Sequence, residues 1–146
     1  VSDALSSTPY TAGILALFDG AVNWEADTIK VALVKNTYTP SAEHEAFAGT
    51  ISTHEASGAG YTAGGATLAN CARTVTGGVI KYTADTLLWE SLNISDVLYA
   101  VVWADDGADG IPLVCIALAA SVLSTTSEGL QLWWNAAGIL FLGPAA

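Results

Sequence analysis

The sequence predicts an all-β domain: an antiparallel sandwich or partly open barrel of about seven or eight strands, with one short helix near the N-terminus. Three observations carry this. Short apolar runs recur between turn signals such as "TGG", "ADDGADG" and "NAAG". No strand-like run alternates with helical patterns, as a parallel βαβ fold requires, and nothing repeats at a fixed period. One stretch alone has convincing helical spacing.

That stretch is residues 9–18, "PYTAGILALF", with Tyr10, Ile14, Leu17 and Phe18 on helical spacing. Thr8 can cap it, Pro9 suits its first position, and Asp19-Gly20 stops it. Residues 1–8 read as an N-terminal arm and 9–146 as a single domain. "TIKVALV" (28–34) is a strand with Ile29, Val31 and Leu33 on one face and Lys30 on the other. Residues 35–59 carry two His, three Glu and many small side chains without clear periodicity. So long an excursion reads as an interaction arm. Strands follow at "ATLANC" (66–71), "GVIKYTA" (78–84), "TLLW" (86–89), "VLYAVVW" (97–103) and "IPLVCIALA" (111–119). The last two are apolar on both faces, so both faces need cover. "EGLQLWW" (128–134) and "GILFL" (138–142) read as a closing hairpin.

Composition limits the function. Hydrophobic residues make up 52% of the 146 and charged residues 12%, against about 25% charged in a typical soluble domain. So few charges imply that surface is covered by copies of the chain or by partners. A membrane does not account for it. The apolar stretches "VCIALAASVL" (114–123) and "AAGILFLGPAA" (136–146) fall short of the ~20 residues a spanning helix needs. A transmembrane barrel needs more strands of clean alternation. "VSDALSSTPY" lacks the basic and apolar regions of a signal peptide, and the chain has no Met, which reads as a protein used without secretion. Net charge is −10, with only Lys30, Lys35, Arg73 and Lys81 positive. No basic patch can form, so direct nucleic-acid binding is not expected.

Few stretches look like chemistry. "GAGYTAGGATLA" (58–69) resembles a phosphate loop only superficially. It lacks the Lys-Ser/Thr of a Walker loop, misses the Gly-x-Gly-x-x-Gly spacing by one, and precedes a strand rather than a helix. Gly60, Tyr61, Gly64 and Gly65 are therefore expected to form a turn leading into a strand. In "DDGADG" (105–110), Asp105, Asp109 and Gly110 match positions of a calcium loop, but Gly107 and Ile116 stand where ligands are needed; a hairpin tip is expected. His44 and His54 each precede Glu without a second His four residues on, so no zincin helix forms. Cys71 and Cys115 belong to no metal motif; they read as two buried thiols, with a disulfide as the alternative. No Gly-x-Ser-x-Gly occurs, and no enzyme activity, cofactor or metal is expected. Asn93-Ile94-Ser95 matches a glycosylation sequon, relevant only to a secreted chain. Adjacent Trp133 and Trp134 must point to opposite faces of a strand. One of them then serves a second core layer or an interface, with sugar stacking as the functional alternative.

The order of phrases "WEADTIKVALVKNTY", "GYTAGGATL", "YTADTLLW", "LYAVVWADDGADGIPLVCIAL" and "LQLWWNAAGILFL" resembles a group of small structural proteins of tailed bacteriophages. The resemblance spans most of residues 10–142. It implies a virion component, most often a decoration (cement) protein on the outer surface of the head. Such a protein is assembled in the host cytoplasm, binds the major capsid protein and associates with itself as a dimer or trimer. A tail or fibre component with glycan-binding aromatics is the alternative. On this reading residues 1–8, the 35–59 excursion and the last hairpin supply contacts, with Tyr10, Phe18, Tyr38, Phe47, Trp133 and Trp134 as interface residues.

Overall fold

In the computed structural model, which describes residues 6–118, 122–132, 134 and 138–142, two antiparallel sheets and one short helix form around an 18-residue strand. The order is β1 (Ser6–Pro9), α1 (Thr11–Asp19), β2 (Ile29–Lys35), β3 (Ala66–Thr67), β4 (Ala72–Thr76), β5 (Val79–Thr83), β6 (Leu87–Ala104), β7 (Ile111–Ala117), β8 (Leu123–Leu132) and β9 (Leu140–Leu142). The larger sheet runs β1-β7-β6-β2-β3, with β8 also on β6; the smaller runs β4-β5-β9. The all-β class with one N-terminal helix is as the sequence predicts.

Strand β6 merges the two strands expected at 86–89 and 97–103. Its first half pairs with β8, from Leu87 opposite Leu132 to Val97 opposite Leu123. Its second half lies between β2 and β7. The halves meet at Asp96, whose φ is 60°. The register against β8 shifts between Ile94 and Val97, a bulge of the kind that bends a strand and re-aims its side chains. The expected break fell here because Asn93, Ser95 and Asp96 are polar and Asp96 carries that bend, while Ile94 between them is buried in the core.

Both faces of the central strands are covered, as their apolar sequences require. Along β2, Ile29, Val31 and Leu33 enter one core cluster, while Ala32 and Val34 enter a second on the opposite face. β6 alternates likewise: Ala100, Val102 and Ala104 go one way, Val101 and Trp103 the other. The first core is closed by Ala16 of α1, by Val22 and Trp24, and by Tyr82, Ile139 and Leu140 of the smaller sheet. The second is closed by Tyr10 and by Tyr38, Phe47 and Ile51 of the excursion.

That cover corrects the reading of residues 35–59 as an arm. Phe47 stacks flat on Trp103, ring centroids 4.2 Å apart and planes 2° from parallel. The Phe47 and Ala48 N–H groups donate to the Gly110 and Asp109 carbonyls at the β6–β7 turn. The Ala56 N–H donates to the Leu33 carbonyl. The segment lacks periodicity because most of it lies across a sheet face, touching the β2 edge only by the isolated bridge of Glu55 with Val34.

Other boundaries shift for identifiable reasons. Ser6–Pro9 pairs with β7 as an edge strand, so the described end of the expected arm is sheet. Pro9, without an N–H, is tolerated at such an edge. The helix accordingly starts at Thr11 with Tyr10 as N-cap, and no side chain caps it; Gly20, left-handed at φ 85°, ends it. Gly13 lets the helix lie on β7, since a Cβ there would meet the Pro112 carbonyl oxygen at 2.4 Å. The expected strand at 66–71 shrinks to two residues. β4 was not expected, its alternation being weak in "ARTVT". β9 pairs with β5 and not with β8, so no terminal hairpin forms between them.

Cys115 is buried in the second core and Cys71, half-buried, packs against the first; both are free thiols. Within one chain these two cannot pair, because the sheet stands between them. Burial pushes the Cys115 thiol up to about 12. It also raises Cys71, helped by the Asp85 carboxylate. In thiol titration of the native protein near pH 8, Cys71 should react slowly and Cys115 not at all. Both should react at once in denaturant. A native chain without titratable thiol after unfolding would contradict this arrangement.

Candidate functional site

The glycine stretch was the sequence's main candidate for chemistry, and the structure gives its glycines and Tyr61 structural tasks. Gly58, Gly60 and Gly65 bring the loop backbone against its neighbours. A Cβ at each would stand 1.8 Å from the carbonyl oxygens of Asn93, Ser91 and Val31 respectively. The Asn93 N–H donates to the Ala59 carbonyl, so the loop continues the edge of β6 where β2 has ended. Gly64 and Gly65 are both left-handed at φ 89°, which side-chain-bearing residues adopt only at a cost.

Tyr61 and Glu55 tie this loop to the sheet. The Leu33 N–H donates to the Tyr61 hydroxyl (2.9 Å). That hydroxyl donates to Glu55 Oε2 (2.5 Å), which also accepts from the Gly64 N–H (2.7 Å). The Trp103 indole N–H donates to the Gly64 carbonyl (3.1 Å). Desolvation raises the Glu55 carboxyl above the usual glutamate range, against the opposing effects of the Tyr61 and Gly64 hydrogen bonds and the Lys30 charge. Burial chiefly raises Tyr61, and Glu55 adds to it. The Gly64 N–H is engaged by Glu55, and the Tyr61 and Gly65 N–H groups by the Gly58 and Thr62 carbonyls, so these loop donors are turned inward on the loop's own structure.

The expected interface residues divide. Tyr10, Tyr38 and Phe47 are buried in the second core, a correction to their reading as surface contacts. Tyr38 and Phe47 anchor a segment without periodicity, and Tyr10, at the N-cap of α1, closes the same core. The Tyr10 and Tyr38 hydroxyls share a hydrogen bond of 2.7 Å, and Tyr38 bonds His44 Nδ1 at 2.7 Å. His54 Nδ1 bonds the Thr37 hydroxyl. Neither histidine faces a cluster of ligands. Among the described residues no three His, Cys, Asp or Glu side chains gather to hold a metal ion. Trp134 is half-buried and donates its indole N–H to the Asp85 carbonyl. Trp133 lies outside the described residues.

At the β6–β7 turn, the Asp105 and Asp106 carboxylates accept from the turn's own N–H groups at Gly107, Ala108 and Gly110. Asp105 also pairs with Lys30 at 3.0 Å. The Lys30 hydrogen bond holds its carboxyl below the usual range. This is a hairpin tip closed on itself.

Among the described residues, a few large apolar side chains also face outward. Phe18 is 72% exposed and Leu15 61%, one helical turn apart on α1. A pocket of about 150 Å³ opens between the end of α1 and the β4–β5 hairpin. It is lined by Leu17, Gly20, Val22, Asn23, Trp24, Arg73 and Tyr82, and is open to solvent. Sequence reasoning named Phe18, through helical spacing. It missed Leu15, which the same spacing leaves off the buried stripe, and it missed the pocket, which joins segments some 60 residues apart. Compared with models of known families, with curated proteins and with solved structures, the chain matches none.

Two outcomes test the loop. Gly65→Ala should destabilise far more than Gly49→Ala. Both have positive φ, costing about 1–2 kcal/mol, but only Gly65 also forces a clash, with open space around Gly49. Tyr61→Phe should cost about 1–3 kcal/mol by leaving the Leu33 N–H and Glu55 short of a partner. Because the folded state raises Glu55, it binds that proton more tightly than the unfolded chain. The contribution of Glu55 to stability therefore falls as pH rises from the ordinary value of about 4.3 through the raised one. Urea unfolding across that window should show a slope that Glu55→Gln reduces.

Proposed function

We propose that the chain is a structural virion protein of a tailed phage, a decoration protein that binds the major capsid protein on the outer surface of the head. The observation that carries this reading is where the family-like phrases lie. "DTIKVAL", "GYTAGGATL" and "LYAVVWADDGADG" are far apart in sequence and in contact in space. Tyr61 meets Leu33, Gly65 meets Val31, and Trp103 meets Gly64. The phrases therefore describe one packed unit, as a resemblance based on fold would require, and no single phrase is a ligand motif.

Composition supports the same reading. A chain with 12% charged residues and exposed Leu15, Phe18, Val75 and Leu88 suits burial against neighbouring subunits. Each apolar Å² removed from water contributes roughly 25 cal/mol, though ordering costs offset much of the gain at a single contact. Repetition over a shell makes many modest contacts act together.

The purified chain, mixed with tailed-phage heads stripped of decoration protein, should cosediment saturably with the heads and raise their resistance to heat. Retention on tails alone would favour a tail or fibre role. Binding in a glycan array that depends on Trp134 would favour a sugar-binding one. Either result would overturn the decoration reading.

A further inference from the structure

We infer that the outer edge of β4 is a strand-addition site, and that its occupant is an extended segment of another protein whose carboxylate pairs with Arg73. The inference does not rest on capsid binding and is tested without capsids, so either proposal can fail alone.

The edge is open at defined positions. Thr76 stands opposite Val79 across Gly77-Gly78, which are left-handed at φ 60° and 79°, so β4 and β5 form a tight two-residue hairpin. The residues flanking such a turn bond each other, and bonded and non-bonded pairs alternate from there. Thr76, Thr74 and Ala72 therefore turn their backbone groups toward β5, and Val75 and Arg73 turn theirs outward. Two hydrogen bonds agree with this. The carbonyl of Tyr82, opposite Arg73, accepts from the Ile139 N–H on the far side of β5. The Arg73 N–H faces out to Glu25 Oε2 at 3.4 Å. The outward N–H and C=O of Val75 have no backbone partner among the described residues.

Sheet edges are protected by proline, by bulges or by being very short. β1 contains Pro9 and β3 has two residues. β4 has five residues, no proline and an unbroken register with β5, and its Val75 is 72% exposed. Its guard is the Arg73–Glu25 pair.

That guard names the chemistry of the occupant. Glu25 comes from the loop before β2, and its carboxylate accepts from the Arg73 N–H, Nε and Nη2. A carboxylate thus already stands where a neighbouring strand would lie. Both side chains of the pair are about half exposed, so its net worth is low and a second carboxylate can replace the first. From Ala72 to Ala84 the chain carries Arg73 and Lys81 and no acidic residue, within a total charge of −10. This hairpin attracts an acidic segment that most of the surface repels. An antiparallel occupant sets its acidic residue opposite Arg73 and, two residues earlier, an apolar one opposite Val75 on the same face. The β4 strand of a second copy does not fit, since "ARTVT" brings another arginine and no carboxylate.

Fluorescence anisotropy tests this with the full chain and a short labelled peptide in which a valine and a glutamate, two residues apart, alternate with threonine. The peptide should bind saturably, and its lysine-for-glutamate counterpart roughly tenfold more weakly. Val75→Pro removes only an outward N–H, which an edge strand tolerates, and should abolish binding. Glu25→Gln should tighten binding by up to about fivefold, because the resident carboxylate no longer competes. Arg73→Glu should reverse the preference between the two peptides. Circular dichroism melts check that each variant folds, and Arg73→Glu decides the matter if Val75→Pro does not. The inference is overturned if the glutamate peptide fails to bind at millimolar concentration, if both peptides bind the wild type alike, or if folded Val75→Pro binds as the wild type does. Self-association in sedimentation velocity that Val75→Pro abolishes would also overturn it, by making the occupant a second copy.

Discussion

The structure depends on covering β6 on every side. Its second half is buried on both faces, and a buried strand must pair its backbone groups on both edges or leave them unsatisfied at a cost of kilocalories each. β2 and β7 meet that need for one half. β8 and the glycine loop, through Ala59, meet it for the other. The bend at Asp96 lets one strand serve two sets of partners.

Covering the faces explains most of what looked functional in the sequence. A sheet with two apolar faces needs two lids. The first is regular: α1 and the smaller sheet. The second is irregular, the excursion anchored by Phe47 on Trp103 and by Tyr38 beside Tyr10. The Glu55–Tyr61 pair then fixes the point where the excursion turns into the glycine loop. Glycines, buried aromatics, histidines and a desolvated carboxylate are common signs of a binding site. Here they hold an irregular lid on a flat sheet. The half-buried carboxylate is accommodated because all its described partners are donors held by the fold.

With those groups engaged, interaction falls to the outside of the molecule. Two of the four cations are tied to carboxylates in the Lys30–Asp105 and Arg73–Glu25 pairs, so the acidic surface has little positive charge to balance it. The outward apolar side chains of α1 sit in the longest uncharged part of the N-terminal region.

The all-β class, a short helix read at 9–18 and found at Thr11–Asp19 with its stop at Gly20, the two-faced burial of the strands at 97–103 and 111–119, and the tight turns at Gly77-Gly78 and Asp105–Gly110 were legible in the sequence. These follow from local rules of side-chain alternation, turn chemistry and left-handed glycine, which act over a few residues. Tertiary structure alone decided that 86–89 and 97–103 are one strand and that Ser6–Pro9 is sheet. It also decided that β9 joins β5, and that Tyr10, Tyr38 and Phe47 lie inside. Each of these depends on which distant backbone or ring stands opposite, and a single residue's character does not reveal that. An aromatic side chain in an aperiodic segment suits a lid or an interface equally well. Its place is settled by whether a Trp103 waits beneath it.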